Sequence, residues 1–130
     1  MSNVKSIFGE YSKVEAADDE KYLTKSCKEF IKESEEFTSL LIIEDDRHRN
    51  NIRWYSSKRV IQRGMSLLMM HELLVETLIE DYKEKYGLTS TVKKIESFFK
   101  KLVLHNQKTI EPYLYLIDMQ ECERELLEFI

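Results

Sequence analysis

The residue types that most often carry catalysis or bind metals are sparse in this chain. Its 130 residues include three histidines (His48, His71 and His105) and two cysteines (Cys27 and Cys122). The histidines fall in three separate segments, and none has the Glu-x-x-His spacing of di-iron bundles. The Cys-x-x-Cys pair typical of zinc sites is also absent from the sequence. We therefore expect no metal site and no cofactor.

Nucleophilic catalysis and nucleotide binding have no supporting motif either. The sequence contains no Gly-x-Ser-x-Gly, and its three glycines are too scattered to form a phosphate-binding loop. His71 lies on an apolar stripe, where a hydrogen-bonded core histidine is the more common case. Cys27 and Cys122 also occupy apolar positions, which is typical of buried thiols in a reducing compartment. We expect a protein that is not an enzyme, and nominate no catalytic residue.

Charge is distributed unevenly along the chain, and this is its clearest functional signal. Residues 47–71 contain six Lys or Arg and no acidic residue, although the whole chain has a net charge of −4. Arginine presents a planar fork suited to carboxylate or phosphate, and aromatic side chains anchor interfaces. The sequence therefore predicts an interaction or adaptor module that presents a basic and aromatic patch to an acidic partner or associates with a second copy of itself. The predicted partner-binding residues are Arg49, Arg53, Trp54, Arg59 and Arg63.

The same basic segment has a structural interpretation. In an antiparallel hairpin it would lie beside the acidic first helix, whose glutamates could neutralise the arginines internally. Trp54 would then be a core or cap residue at the start of the second helix. The glutamates concerned are Glu29, Glu33, Glu35 and Glu36.

An alternative function is nucleic-acid binding through a degenerate helix-turn-helix at about residues 76–101. Gly87 follows an apolar-periodic helix and precedes Thr89-Ser90-Thr91-Val92, with Lys93 and Lys94 available for phosphate contacts. Lys83 departs from the motif, which usually has a small residue there. The sequence pI of about 5.5 also argues against a DNA-binding domain. An αα-hairpin with a glycine at its turn is the simpler interpretation.

The elements that must position these residues are helices. A β-sandwich or barrel needs frequent turns, yet the chain has only three Gly and one Pro. Apolar or small residues recur every three or four positions from Leu23 to Leu41, which predicts a first helix over about residues 19–43. Residues 44–51 contain no apolar side chain and are the predicted first connection. The members of the stripe are Leu23, Cys27, Phe30, Ser34, Phe37 and Leu41.

Three further helices complete the predicted fold. Two adjacent apolar stripes over residues 52–86 predict a central second helix with neighbours on two sides. Thr89 or Ser90 would cap a third helix that stops near residues 105–108. Thr109 would cap a fourth, with Pro112 in its first turn, and its apolar end with Tyr113 and Tyr115 could form a second contact. The fold class is thus an all-α antiparallel bundle of about four long helices, with a possible short extra N-terminal helix.

Size and hydropathy set the remaining expectations. A chain of 130 residues with 42% hydrophobic residues suits a single domain, which we assign to residues 1–130. The longest purely apolar runs have four residues, so no transmembrane segment is predicted, and no signal peptide is recognised. We expect an intracellular location in the cytoplasm, with the nucleus possible. Adsorption to an anionic membrane through the arginines has less support, because that segment lacks a clean apolar face.

Overall fold

The protein is a bundle of helices. The computed structural model describes the backbone of residues 2–50 and 55–129 and the side chains of residues 14–50 and 58–128. Four α-helices are present in this part of the chain, with a 3-10 helix between the last two, and no strand occurs there. The all-α bundle predicted from the sequence is confirmed. The helices are α1 (Ser2–Arg49), α2 (Tyr55–Tyr86), α3 (Ser90–Ile110), the 3-10 helix (Glu111–Leu116) and α4 (Met119–Phe129).

The predicted stripe of α1 forms its buried face. All six members from Leu23 to Leu41 are buried, and the side chains of Phe30 and Leu41 are fully inaccessible to solvent. The Phe30 ring packs against Phe99 of α3, with ring centroids 5.5 Å apart. A buried hydrogen bond joins the same two helices, because Asn106 Nδ2 donates to Ser34 Oγ at 2.9 Å. Helix α1 is therefore the surface on which both α2 and α3 pack.

The predicted connection over residues 44–51 was wrong, because α1 continues to Arg49. The segment has no apolar side chain, but its charges are spaced to support a helix. Arg47 Nη1 lies 3.5 Å from Glu44 Oε1, a pair three positions apart. Arg49 Nε lies 3.0 Å from Asp45 Oδ2, a pair four positions apart. Glu44 also extends the stripe by one step and is itself buried. The apolar stripe ends at Leu41, and ion pairs between charged side chains support the last turns of the helix. The predicted start at residue 19 was also too late, and no separate short N-terminal helix precedes α1, because α1 begins at Ser2 and is continuous to Arg49.

Helix α2 has the central position that its two stripes predicted. It packs against α1 on one side and α4 on another. Gly64 allows the close approach to α1, since a Cβ atom at this position would lie 3.0 Å from Phe37 Cδ1. One of the two stripes contains Ile61, Leu68 and Val75, which are buried in the core. The other stripe begins at Val60, which is half exposed.

A tight turn links α2 to α3. Gly87 has φ of +79°, the left-handed conformation that favours glycine after a helix, and its N–H donates to the Lys83 carbonyl at 2.9 Å. Thr89 caps α3, because its side-chain oxygen accepts from the Val92 N–H at 3.3 Å. Lys83 of α2 and Glu96 of α3 form an ion pair at 2.8 Å. The two helices therefore run side by side as an αα-hairpin.

The fourth helix begins later than predicted. Thr109 is not its cap, because α3 continues to Ile110 and the Thr109 hydroxyl donates to the His105 carbonyl at 2.8 Å. Pro112 instead lies in the first turn of the 3-10 helix, where its missing N–H leaves no hydrogen bond unmade. The N–H of Glu121 lies 3.2 Å from Asp118 Oδ1, which caps α4.

Candidate functional site

The described part of the predicted basic patch lies at the end of α1 and the start of α2. Arg49 is in the last turn of α1, and Arg59 and Arg63 are in the first turns of α2. Arg53 and Trp54 lie outside the described residues. The Arg49 side chain is 75% exposed and is held by Asp45, whose carboxylate also accepts from the Tyr115 hydroxyl.

Arg59 and Arg63 lie on one exposed face of α2, because they are four positions apart in the helix. Both side chains are exposed, and Val60 beside them is 52% exposed. Neither arginine forms an ion pair or a hydrogen bond with any residue whose side chain the structure describes. We call Arg59, Val60 and Arg63 the arginine face. It combines two arginines that are unpaired within the described side chains with a half-exposed apolar side chain beside them.

The glutamates of α1 whose side chains are described form no ion pair with the arginine face. Glu33 and Glu36 line the same shallow cavity of about 260 Å³ as Arg63, between α1 and α2. Glu33 approaches His71 Nε2 at 4.0 Å, and Glu36 pairs with Lys32 at 3.8 Å on its own helix. Within the described residues, the arginines that do form ion pairs along α1 are Arg47 and Arg49. Arg63 therefore borders acidic residues and keeps its hydrogen-bonding groups available.

The polar cluster around Cys122 is structural. Cys122 is fully buried, and its Sγ lies 3.2 Å from Gln62 Oε1, which also accepts from the Asp118 N–H at 3.0 Å. The Ser66 hydroxyl lies 2.9 Å from Glu125 Oε2. Burial raises the pKa of the Cys122 thiol to about 11, so it is protonated at neutral pH. These contacts join α4 to α2, and a protonated buried thiol is a poor nucleophile.

The histidines and acidic residues form no recognisable metal site in the described side chains. No group of three or more His, Cys, Asp or Glu residues is arranged there to hold a metal ion. His71 is half-buried, and its Nδ1 is buried without a hydrogen-bond partner in that part of the chain. Cys27 is also buried, and burial raises the pKa of its thiol. These residues belong to the packing of the bundle.

The predicted second contact at the end of the chain is only partly exposed. Tyr115 is 54% exposed but lies in the 3-10 helix, where its hydroxyl bonds to Asp45, and Tyr113 is half-buried. Leu127 of α4 is 72% exposed. The two tyrosines lie in the 3-10 helix and Leu127 lies in α4, so they do not share the one predicted fourth helix.

A second surface was not anticipated from the sequence. Two adjoining cavities of about 420 and 540 Å³ lie along the groove between α2 and α3, and both are lined by Glu72. The sequence contains one signal for it, because Glu72, Glu76 and Glu80 recur every four residues beside the apolar stripe of α2. The groove itself depends on how far α2 and α3 lie apart, which residue spacing does not specify.

Comparison with known proteins gives no functional assignment. No family model, curated protein or solved structure matches the chain. Within the described residues, no helix is long and apolar enough to cross a lipid bilayer. The described structure defines an all-α helical bundle. Its exposed surfaces are the candidate functional sites.

Proposed function

We propose that this protein is a non-enzymatic helical interaction module that binds an acidic segment of a partner protein through the arginine face. Arg49 would extend the contact from the end of α1. Arg53 and Trp54 belong to the proposed site through their positions in the sequence between the two helices. The observation that carries the proposal is the exposure of Arg59 and Arg63 without any ion pair to the described side chains.

Availability is what distinguishes these two arginines. A guanidinium group that is already bound to a carboxylate must lose that contact before it can bind a partner, whereas an unpaired group has only its hydration to lose. Arg59 and Arg63 are four residues apart, so two acidic side chains one helical turn apart could each meet one of them. Val60 offers half-exposed apolar area beside the two arginines, which favours an acidic segment that also contains an apolar residue.

Acidic protein is favoured over nucleic acid by the arrangement of α2 and α3. In helix-turn-helix units the two helices cross at roughly 90–120° so that the second can enter the major groove. Here α2 and α3 line the same two cavities from the turn end, at Ile79 and Glu96, to the far end, at Met65 and Ile110, as in an antiparallel hairpin. Lys93 and Lys94 are exposed on α3.

The proposal is tested by fluorescence anisotropy with a labelled peptide rich in Glu and containing two Leu. The full chain should bind it, and the double variant Arg59→Glu with Arg63→Glu should bind about five- to thirtyfold more weakly. Reversing two exposed charges is worth roughly 1–2 kcal/mol, and 1.4 kcal/mol corresponds to about tenfold in affinity. Circular dichroism of each variant is the check that its helical content is kept.

The matched control is Lys94→Glu with Lys101→Glu, which changes the net charge equally on α3, where both lysines are exposed. This variant should bind the acidic peptide within about twofold of the original chain, since it lies away from the arginine face. A nonspecific duplex is the second probe. An equal loss of affinity for the acidic peptide in both double variants would contradict the proposal. Tighter binding to duplex, dependent on Lys93 and Lys94, would assign the protein to nucleic-acid binding instead.

A further inference from the structure

We propose that the groove between α2 and α3 is a docking site for a helical segment of another protein that carries an apolar stripe flanked by Lys or Arg. We call it the acidic groove. It is lined by acidic residues, by apolar residues and by two lysines. The acidic residues are Glu72, Glu76, Glu80, Glu96 and Glu111, and the lysines are Lys100 and Lys108.

The shape of the groove follows from the packing of the hairpin. Helices α2 and α3 both pack on α1, whereas their contact with one another is slight. The Lys83–Glu96 ion pair lies at the turn end, and Leu114 and Met119 lie at the other. From Ile79 to Met65 the α2 wall is about 21 Å long, at roughly 1.5 Å per residue, so it would seat a helix of about fourteen residues.

The walls of the groove are apolar and partly exposed to solvent. Leu104 is 57% exposed and lines the groove together with buried Phe99, and Leu114 is 45% exposed and lines it together with buried Ile110. Met65, Met69 and Met119 also line it, and flexible methionine side chains adapt well to a partner's apolar stripe. Burying these walls against another helix would remove apolar area from water.

The charge of the groove determines which helix fits. Glu72 is half-buried, and burial together with the neighbouring Glu76 raises the pKa of its carboxyl. Neither residue forms an ion pair with the described side chains. Glu96, in contrast, is bound by Lys83 at 2.8 Å and approached by Lys100 at 3.8 Å. The middle of the groove therefore has two adjacent carboxylates without a cation.

A basic amphipathic helix supplies what this surface lacks. Its apolar stripe would cover the walls, and Lys or Arg one turn apart on its flank would neutralise Glu72 and Glu76, which are also one turn apart. An acidic helix would add like charge beside a carboxylate that is already half-buried. Charge complementarity thus favours a basic occupant.

The acidic groove and the arginine face lie on different flanks of α2. Arg63 and Val60 face the cavity toward α1, whereas Met65 and Glu72 face α3. Reversal of the arginines should therefore leave groove binding unchanged. Failure of one proposal can be distinguished from failure of the other.

The experiment uses the full chain and a labelled synthetic helix of about fourteen residues, with Leu along one stripe and Lys on both flanks. Two matched peptides have Glu in place of every Lys, or Ser in place of every Leu. In fluorescence anisotropy the Leu/Lys peptide should bind, and both matched peptides should bind at least about tenfold more weakly. Equal binding of the Leu/Glu peptide would overturn the proposal.

Variants then locate the site. Glu72→Lys with Glu76→Lys should weaken binding at least about tenfold, and Leu104→Ser should weaken it several-fold. The controls are Asp81→Lys with Glu84→Lys, an equal charge change on exposed residues of α2 outside the groove, and Leu127→Ser on α4. If the lysine variant fails to fold, Glu72→Gln with Glu76→Gln gives the same test.

Two further outcomes would overturn the proposal. Binding that is unchanged in the groove variants would place the peptide elsewhere. Light scattering that shows self-association, weakened both by Glu72→Lys with Glu76→Lys and by Arg59→Glu with Arg63→Glu, would make the occupant a second copy of this chain. A monomer that binds the Leu/Lys peptide at the groove is the expected result.

Discussion

Replacement of Gly64 by alanine tests the packing of α1 against α2. In an unhindered helix interior the change would stabilise the protein by about 1 kcal/mol, because alanine has the higher helix propensity. Here the new Cβ would lie 3.0 Å from Phe37 Cδ1 and 3.2 Å from Phe37 Cε1. Carbon atoms prefer separations of roughly 3.5–4.0 Å. Phe37 is only 3% exposed, so its ring has little room to move.

The magnitude follows from these two opposing terms. Overpacking of a buried site costs about 1–3 kcal/mol, so Gly64→Ala should lower the free energy of unfolding by about 1 kcal/mol net. Phe37→Leu removes the ring atoms that the new Cβ meets. In that background Gly64→Ala should therefore cost less, with a coupling of about 1 kcal/mol between the two positions.

The assay is urea unfolding followed by circular dichroism for the original chain, both single variants and the double variant. Similar slopes with urea would indicate that the variants differ in stability alone. If Gly64→Ala instead stabilised the protein by the full helix-propensity gain of about 1 kcal/mol, without coupling to Phe37→Leu, that result would contradict a close contact between position 64 and the Phe37 ring.

Three other predictions concern buried polar groups. Asn106→Ala should destabilise the protein by about 1–3 kcal/mol, because it leaves Ser34 without its donor; Asn106→Leu with Ser34→Ala should recover much of the loss in the same urea assay. Glu72→Gln should stabilise the protein near neutral pH, since a raised carboxyl pKa means that folding disfavours the ionised form. The gain should fade as the pH falls through that raised pKa toward the ordinary value and Glu72 becomes protonated, and a gain that is constant with pH would contradict this cause. Cys122 and Cys27 should react with a thiol reagent at pH 8 only after unfolding, because both are buried and their thiol pKa values are raised; rapid labelling of the folded chain would be contrary evidence.

The helices and their buried faces could be predicted where one apolar period governs the segment. All six stripe residues of α1 are buried, and Thr89 and Gly87 have their predicted roles at the α2–α3 turn. The apolar period does not predict the end of α1, because residues 44–49 are helical without apolar side chains and are supported by ion pairs. The position of Pro112 does not predict the start of the fourth helix, because a proline that suits the first turn of an α-helix suits a 3-10 helix equally well.

The candidate surfaces were predictable to different degrees. A charge run is visible in the sequence, and the side chains of Arg59 and Arg63 within it are exposed. Whether such a run is paired internally depends on helix register, and Glu33 meets His71 in place of an arginine. The acidic groove depends on the separation of two helices that share a third as support. Glu72 and Glu76 read as an ordinary solvated helix surface until that separation is known.

The account depends most on the claim that α2 presents two docking faces of opposite charge on separate flanks. Nuclear magnetic resonance titrations of the isotopically labelled chain, made separately with the acidic and the Leu/Lys peptide, test it most directly. We predict that the acidic peptide shifts the amide signals around Arg59 and Arg63, and that the basic peptide shifts those of Glu72, Glu76 and Leu104. Shifts at the same residues with both peptides, or no shifts with either, would contradict the account.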